Sequence, residues 1–291
     1  MRTPSLACAV GIACLIAGGS RLAAGQAAGG ITDTSRSWAG QRVLLLHGFG
    51  DVHHRNDPSS TSTVMGINLV NVVARVEGAR LWFRATSGGD SGWVDSSSAV
   101  RLTQALAYLD TAIRHDSTGW DLYLRRADVE HALNQRQAAT ADYSTAISLH
   151  PSEAFLYLRR ARHYNTLHNC AAELADLSRG LVLAPTSAPE GYNLVAELYS
   201  LESGVYASCP DSTLRDPPKA LSTIQQAIAL DSTRPTFLVI LAEVRARSGD
   251  LHGAVVALTE ALSRSSAAPA YRADWEEQLR EFRQALRDSR H

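Results

Sequence analysis

Five residues able to bind metal or move protons fall between positions 47 and 57: His47, Asp51, His53, His54 and Asp57. Imidazole and carboxylate together suit Zn²⁺ or another divalent ion. In an extended segment the adjacent His53 and His54 would point apart, so a solvated loop is the plain alternative. Just upstream, Val43-Leu44-Leu45-Leu46-His47-Gly48-Phe49-Gly50 has the form of an apolar strand running into an oxyanion loop. Acyl hydrolysis there would require a Gly-x-Ser-x-Gly nucleophile elbow. The nearest match, Gly89-Asp90-Ser91-Gly92-Trp93, ends in Trp, and no βαβ alternation follows. A Ser/His/acid triad therefore lacks a scaffold. No Gly-x-x-x-x-Gly-Lys phosphate loop occurs, and Lys219, the only lysine, lies in another context. The expectation is a non-enzyme without cofactor or bound metal. The alternative is a metal-dependent hydrolase of the cell envelope using the His47–Asp57 loop.

The elements around that segment follow two grammars. From 102 onward the chain repeats itself. Ala105, Leu109, Ala112 and Ile113 recur 34 positions later as Ala139, Tyr143, Ala146 and Ile147, and again as Glu173, Leu177, Gly180 and Leu181. After a change of phase, Ala220, Ile224, Ala227 and Ile228 recur as Ala254, Leu258, Ala261 and Leu262, again 34 apart. The spacing i, i+4, i+7, i+8 marks one face of a helix. Helices of similar spacing lie between, at 123–131, 157–167, 192–201 and 237–247, with Ala127, Ala161, Ala196 and Ala242 at matching places. Pro151 and Pro185 follow two of the repeats as helix stops. Gly249-Asp250 forms a turn. Glu173 replaces a small residue, and Gly180 weakens its helix.

This pattern resembles the tetratricopeptide repeat over residues 102–264, with a capping helix within 265–291. The resemblance implies a superhelix whose first helices line a concave face that binds a protein or peptide. Carried over by repeat position, that face holds Asp121, Leu124, Asp128 and His131, then Phe155, Leu158, Arg162 and Asn165, then Asn193 and Glu197. Leu124 and Leu158 stand where a carboxylate clamp has a basic residue, and Asp128 where it has Asn. A segment with basic and apolar side chains is the expected ligand. An insertion, from Ala207-Ser208-Cys209-Pro210-Asp211 to Ala220, interrupts the third unit as a surface loop, with Pro218 entering the next helix. It is similar to a segment of bacterial proteins that join such repeats to an SH3-like domain.

Residues 38–101 instead alternate short β-type runs with turns. Strands are expected at 42–46, 71–77, 80–85 and from Gly92 to near Val100, with a turn at Gly78-Ala79. Val72, Val76, Gly78 and Leu81-Trp82-Phe83-Arg84, with Ser91-Gly92-Trp93-Val94, resemble a bacterial SH3-like domain. Trp82 and Trp93 would then line a groove, with cell-wall material as a second ligand. Closing a small core is the other reading of these tryptophans. The expected fold is thus α+β and multidomain: an SH3-like β-barrel, then an all-α solenoid of tetratricopeptide type.

Residues 1–27 read as a secretory signal: Arg2, an apolar stretch from Leu6 to Ala17, then small residues through Ala28. The apolar core is too short to span a bilayer. A lipid-anchor reading at Cys14 lacks the usual preceding leucine. Residues 28–37 are a linker. Cleavage removes Arg2 and Arg21 and no acid, taking the net charge from −1 to −3. With 27 of 28 basic residues being scattered arginines, and no basic stripe, nucleic-acid binding is not expected. The expected location is periplasmic or extracellular, and there one bridge between Cys170 and Cys209 is permitted. Two independent buried thiols are the alternative.

Overall fold

The computed structural model describes residues 38–45, 51–54, 57–63, 70–83, 92–184, 194–264 and 272–289. The signal segment, the linker, His47, Asn193 and the Gly89–Ser91 stretch lie outside them.

Among the described residues seven short strands come first: β1 (Arg42–Leu45), β2 (Asp51–His54), β3 (Asp57–Thr63), β4 (Val70–Glu77), β5 (Arg80–Phe83), β6 (Gly92–Asp95) and β7 (Ala99–Arg101). They form one antiparallel sheet in the order β3-β2-β6-β5-β4-β1-β7. Among the described residues its two edge strands, β3 and β7, do not pair, so the sheet is open. The β4–β5 hairpin turns at Gly78, whose φ of 58° is the left-handed conformation glycine tolerates. A loop is expected over His47–Asp57, and no strand at 58–63. Residues 51–54 and 57–63 are instead a hairpin, joined to β6 through the pair His53 and Trp93. Thr61 and Thr63 are β-branched residues suited to a strand, and β6 supplies the missing hydrogen-bonding partner. Alternation puts Val43, Val73, Leu81, Phe83 and Val94 on one buried face, closed by Ala99.

Ten helices follow among the described residues: α1 (Leu102–His115), α2 (Trp120–Ala132), α3 (Arg136–Leu149), α4 (Ala154–Thr166), α5 (Cys170–Leu183), α6 (Leu194–Ser208), α7 (Pro217–Leu230), α8 (Pro235–Arg247), α9 (Leu251–Ser263) and α10 (Arg272–Asp288). Helices α2/α3, α4/α5, α6/α7 and α8/α9 pack as antiparallel pairs, and each pair stacks on the next. The starts of α2 and α4, of α3 and α5, and of α7 and α9 are each 34 residues apart. Ala127, Ala161, Ala196 and Ala242 are all fully buried. With only a methyl group at each contact, the helices of a pair can approach closely.

The turns inside pairs repeat as well. Asn134 (φ 61°), His168 (φ 54°) and Gly249 (φ 85°) each take the left-handed conformation between the first helix and the second. The next helices then begin on side-chain caps: Asn169 accepts from the Ala172 N–H, and Asp250 from the Gly253 N–H. In the insertion, Asp216 accepts from the Lys219 N–H, and α7 starts at Pro217, one residue before the proline expected to enter it.

Both ends of the array are covered. At the start, Leu44 of β1 shares a buried cluster with Leu102, Ala105, Leu109 and Val129. Arg42 Nη1 donates to the Ala132 carbonyl (3.0 Å), and Arg125 Nη1 to the Leu45 carbonyl (2.9 Å). At the other end, α10 inserts Trp275 and Leu279 against α8 and α9 and turns its charged face outward.

Candidate functional site

The first helices α2, α4, α6 and α8 form one layer, with α4 against α6 and α6 against α8. Position by position, Asp128, Arg162, Glu197 and Glu243 each follow the small residue at which the pairs make contact. Every member of this column bonds to the next layer. Asp128 accepts from Arg159 on α4. Arg162 donates to Glu197 on α6. Glu197 also accepts from Arg234, the residue capping α8, at 2.5 Å. Glu243 accepts from Gln278 on α10 at 3.2 Å. The column is a polar ladder running from layer to layer.

The expected face residues therefore divide. Leu124 and Leu158, at 5% and 0% exposure, sit in the cores between helix pairs. They have almost no surface to offer a ligand, because neighbouring layers close over them. Phe155 is half-buried between the same two cores. Asp128 is buried, and its Oδ1 also accepts from Tyr143 Oη at 2.6 Å. Glu197 is buried between two guanidinium groups. Asp121, His131 and Arg162 are half-exposed, and Asn165 is exposed. Asp121 meets Arg125 one turn on, at 3.8 Å. Asn165 Nδ2 donates to Glu173 (3.1 and 3.2 Å), and burial raises that carboxyl to about 7. Glu173, in place of a small residue, thus serves as the buried anchor of a second-helix start.

A further pattern escapes the apolar reading. Arg126 forks onto Asp142 (2.5 and 2.9 Å) and reaches Asp110 (2.8 Å). At 34 residues further on, Arg160 forks onto Asp176 (2.8 Å twice) and reaches Ser144 (3.0 Å). Each guanidinium ties a first helix to its own second helix and to the preceding one. The Asp142 partner holds the Arg126 guanidinium well above its ordinary pKa. Tyr123 and Tyr157 also repeat, their hydroxyls donating to the Ser117 and Pro151 carbonyls. Scanning charged as well as apolar residues at the repeat period would find the arginine struts in the sequence.

Cys170 begins α5 and Cys209 follows α6, and they are bridged, with Cα atoms 6.1 Å apart. Gly180 has a packing reason: a Cβ there would stand 2.9 Å from Leu198 on α6. On the sheet, Trp82 and Trp93 are cross-strand neighbours with ring centroids 5.2 Å apart. They lie on the face opposite Leu81, Phe83 and Val94 and outside that buried cluster. Among the described residues no group of three or more His, Cys, Asp or Glu side chains could hold a metal ion, and no helix is long and apolar enough to cross a membrane.

No family model matches the chain, and no curated protein matches it. Solved structures do resemble it. A thermophilic TPR protein of Thermus thermophilus is 20% identical, with 62% of this chain and 90% of that chain covered and a TM-score of 0.49. A tetratricopeptide repeat protein of Parabacteroides merdae is 16% identical, covering 64% and 70%, at 0.49. MamA of Desulfovibrio magneticus is 18% identical, covering 58% and 88%, at 0.48. The helix-pair array itself is defined by the packing of α1–α10.

Proposed function

We propose that the chain is a non-catalytic interaction or scaffold protein of tetratricopeptide type, exported to the envelope or beyond. Its first-helix layer would hold a protein or peptide segment. The observation that carries this reading is the single layer of first helices, α2 to α8, capped at both ends and tied from layer to layer. Such a surface is pre-organised, so a ligand ordering itself on it costs less conformational entropy than one that must also order the protein. The polar ladder narrows the contact set: Asp121, His131, Arg162 and Asn165 keep exposed surface, while Asp128 and Glu197 act as internal struts. A captured partner should be lost when Asp121→Arg and Asn165→Arg are combined in a chain that keeps its helical circular dichroism. Undiminished capture by that variant would move the site off this face.

We propose further that the strands are an SH3-like module, although among the described residues they do not close into the expected barrel; the Trp82–Trp93 pair, lying away from the core, supports an aromatic platform. In this reading the platform contacts cell-wall material. Co-sedimentation with purified peptidoglycan, lost on Trp82→Ala and Trp93→Ala, tests it. Equal sedimentation of the variants rejects it.

A further inference from the structure

Two imidazoles join the first two layers of the array. His131, near the end of α2, and His163 on α4 face each other through their Nδ1 atoms at 2.9 Å. The rings meet edge to face, with centroids 5.2 Å apart. His163 is 1% exposed. Its Nε2 lies 3.1 Å from the Arg136 carbonyl and 2.9 Å from Thr140 Oγ1, both on α3.

These contacts assign the protons. A carbonyl only accepts, so His163 Nε2 carries the hydrogen and its Nδ1 is a bare acceptor. His131 Nδ1 must then be the donor. A proton added to His131 at Nε2 leaves this bond intact. A proton added to His163 at Nδ1 sets two N–H groups against each other at hydrogen-bond distance. The pair therefore holds only while His163 is neutral.

The surroundings favour the neutral forms. Burial lowers both imidazoles below their usual pKa. His131 is faced by Asp128 on its own helix, Arg159 on α4 and Arg42 on β1, of which only Asp128 favours charge. His163 is faced by His131, by Arg136 on α3, and by the rings of Tyr143 and Tyr164. A second resting place for His131 also exists. Asp128 stands one turn earlier on α2, where positions three apart are neighbours. Its Oδ1 is used by Tyr143 and Arg159, while its Oδ2 is buried without a hydrogen-bond partner among the described residues.

We propose that His131 and His163 are an acid-released latch between α2 and α4. When His163 takes a proton, the rings part, His131 turns to Asp128 Oδ2, and the first-helix layer loosens between the first two units. A depressed pKa contributes stability that is present above about 6.5 and lost as pH falls through the folded value. Any effect on a bound partner rests on the interaction reading above. The test uses the unliganded chain, so the latch and that reading fail separately.

The experiment combines ¹⁵N-resolved imidazole spectra with hydrogen exchange of the full chain between pH 7.5 and pH 5.0. At pH 7.5 we expect the Nδ1–H form of His131 and the Nε2–H form of His163. Below pH 6.5 the two should titrate as a coupled pair. Exchange protection of α2 and α4, corrected for intrinsic rates, should then fall by about tenfold as the bond between the layers is lost. His131→Gln should abolish the acid step, because a flipped amide donates to neutral His163 and accepts from the charged ring. Independent titration near 6.5, unchanged protection at pH 5.0, or an equal acid step in His131→Gln would each overturn the latch. If that variant does not fold, the tautomers and titration of the unaltered chain decide alone.

Discussion

The two halves of the array hold the same geometry by different physics. From α1 to α5 separate apolar cores around Leu109, Leu124 and Leu158 are crossed by buried or half-buried polar groups: the Arg126 and Arg160 struts, the Asp128–Tyr143–Arg159 cluster and the His131–His163 pair. From α6 to α10 one continuous apolar cluster runs from Ala196 through Phe237, Leu238, Leu241 and Leu258 to Trp275. There the buried Glu197 pairs with Arg234, while Glu243–Arg247, Glu260–Arg264 and Glu276–Arg272 lie on exposed helix surfaces, where such pairs add little. The repeat geometry constrains where the backbones run, and either chemistry can fill the space between. Polar filling makes the first half responsive to pH and demanding in register. The single large apolar cluster makes the second half the place where truncating a core side chain should cost most.

The largest expected effect strikes the apolar half. Phe237→Ala, at a fully enclosed ring, should cost about 3–5 kcal/mol. Urea unfolding followed by hydrogen exchange should show α6–α10 opening first. Equal loss of protection in α2–α5 would mean that the halves are not separable. Next comes the bridge across their boundary. Cys170–Cys209 closes a separation of 39 residues, and its removal by paired Cys→Ser changes should cost about 2–4 kcal/mol. A single unfolding transition should split in two. A transition that stays single and merely shifts would show that packing alone couples the halves.

A smaller effect is expected at one strut. Arg126→Met leaves the Asp142 carboxylate short of its fork and should cost about 1–3 kcal/mol. Adding Asp142→Leu should restore most of that loss, since an apolar pair can replace a buried ion pair. Failure to recover in thermal melts would make the strut a geometric requirement rather than a filler.

The smallest effect is a pH dependence at Glu173. Burial raises this carboxyl from 4.5 to about 7. Its contribution favours the folded chain below about 4.5 and is lost as pH rises through 7. Glu173→Gln should therefore match the unaltered chain near pH 4 and exceed it modestly at pH 8. This sign is opposite to that of the histidine pair, so the two can be told apart by titrating stability in single variants. A Glu173→Gln advantage that persists undiminished at pH 4 would assign the effect to packing instead.

Much of the helical half was legible because alanine at fixed spacing leaves a trace that does not depend on neighbours. Ala105, Ala139 and Ala254 announce a buried contact by their size alone, and all three are fully enclosed. The candidate site was legible only in part. Repeat position places Asp121, Asp128, Arg162 and Glu197 on the first helices, but the bonds that tie them depend on how one layer stacks on the next. Leu124 and Leu158 read as surface by position and are closed over by neighbouring layers. On the sheet, β2 and β3 were missed because polar strands such as Asp57–Thr63 carry no alternating apolar signal.

The order of amino acids is enough to set the period, the helix pairing and the small-residue contacts, because those follow from local spacing and side-chain size. Only the packed molecule settles which charges meet. Arg162 finds Glu197, and His131 finds His163, across separations of 35 and 32 residues. Such bonds require a distance and an orientation between two helices, and one-dimensional spacing contains neither.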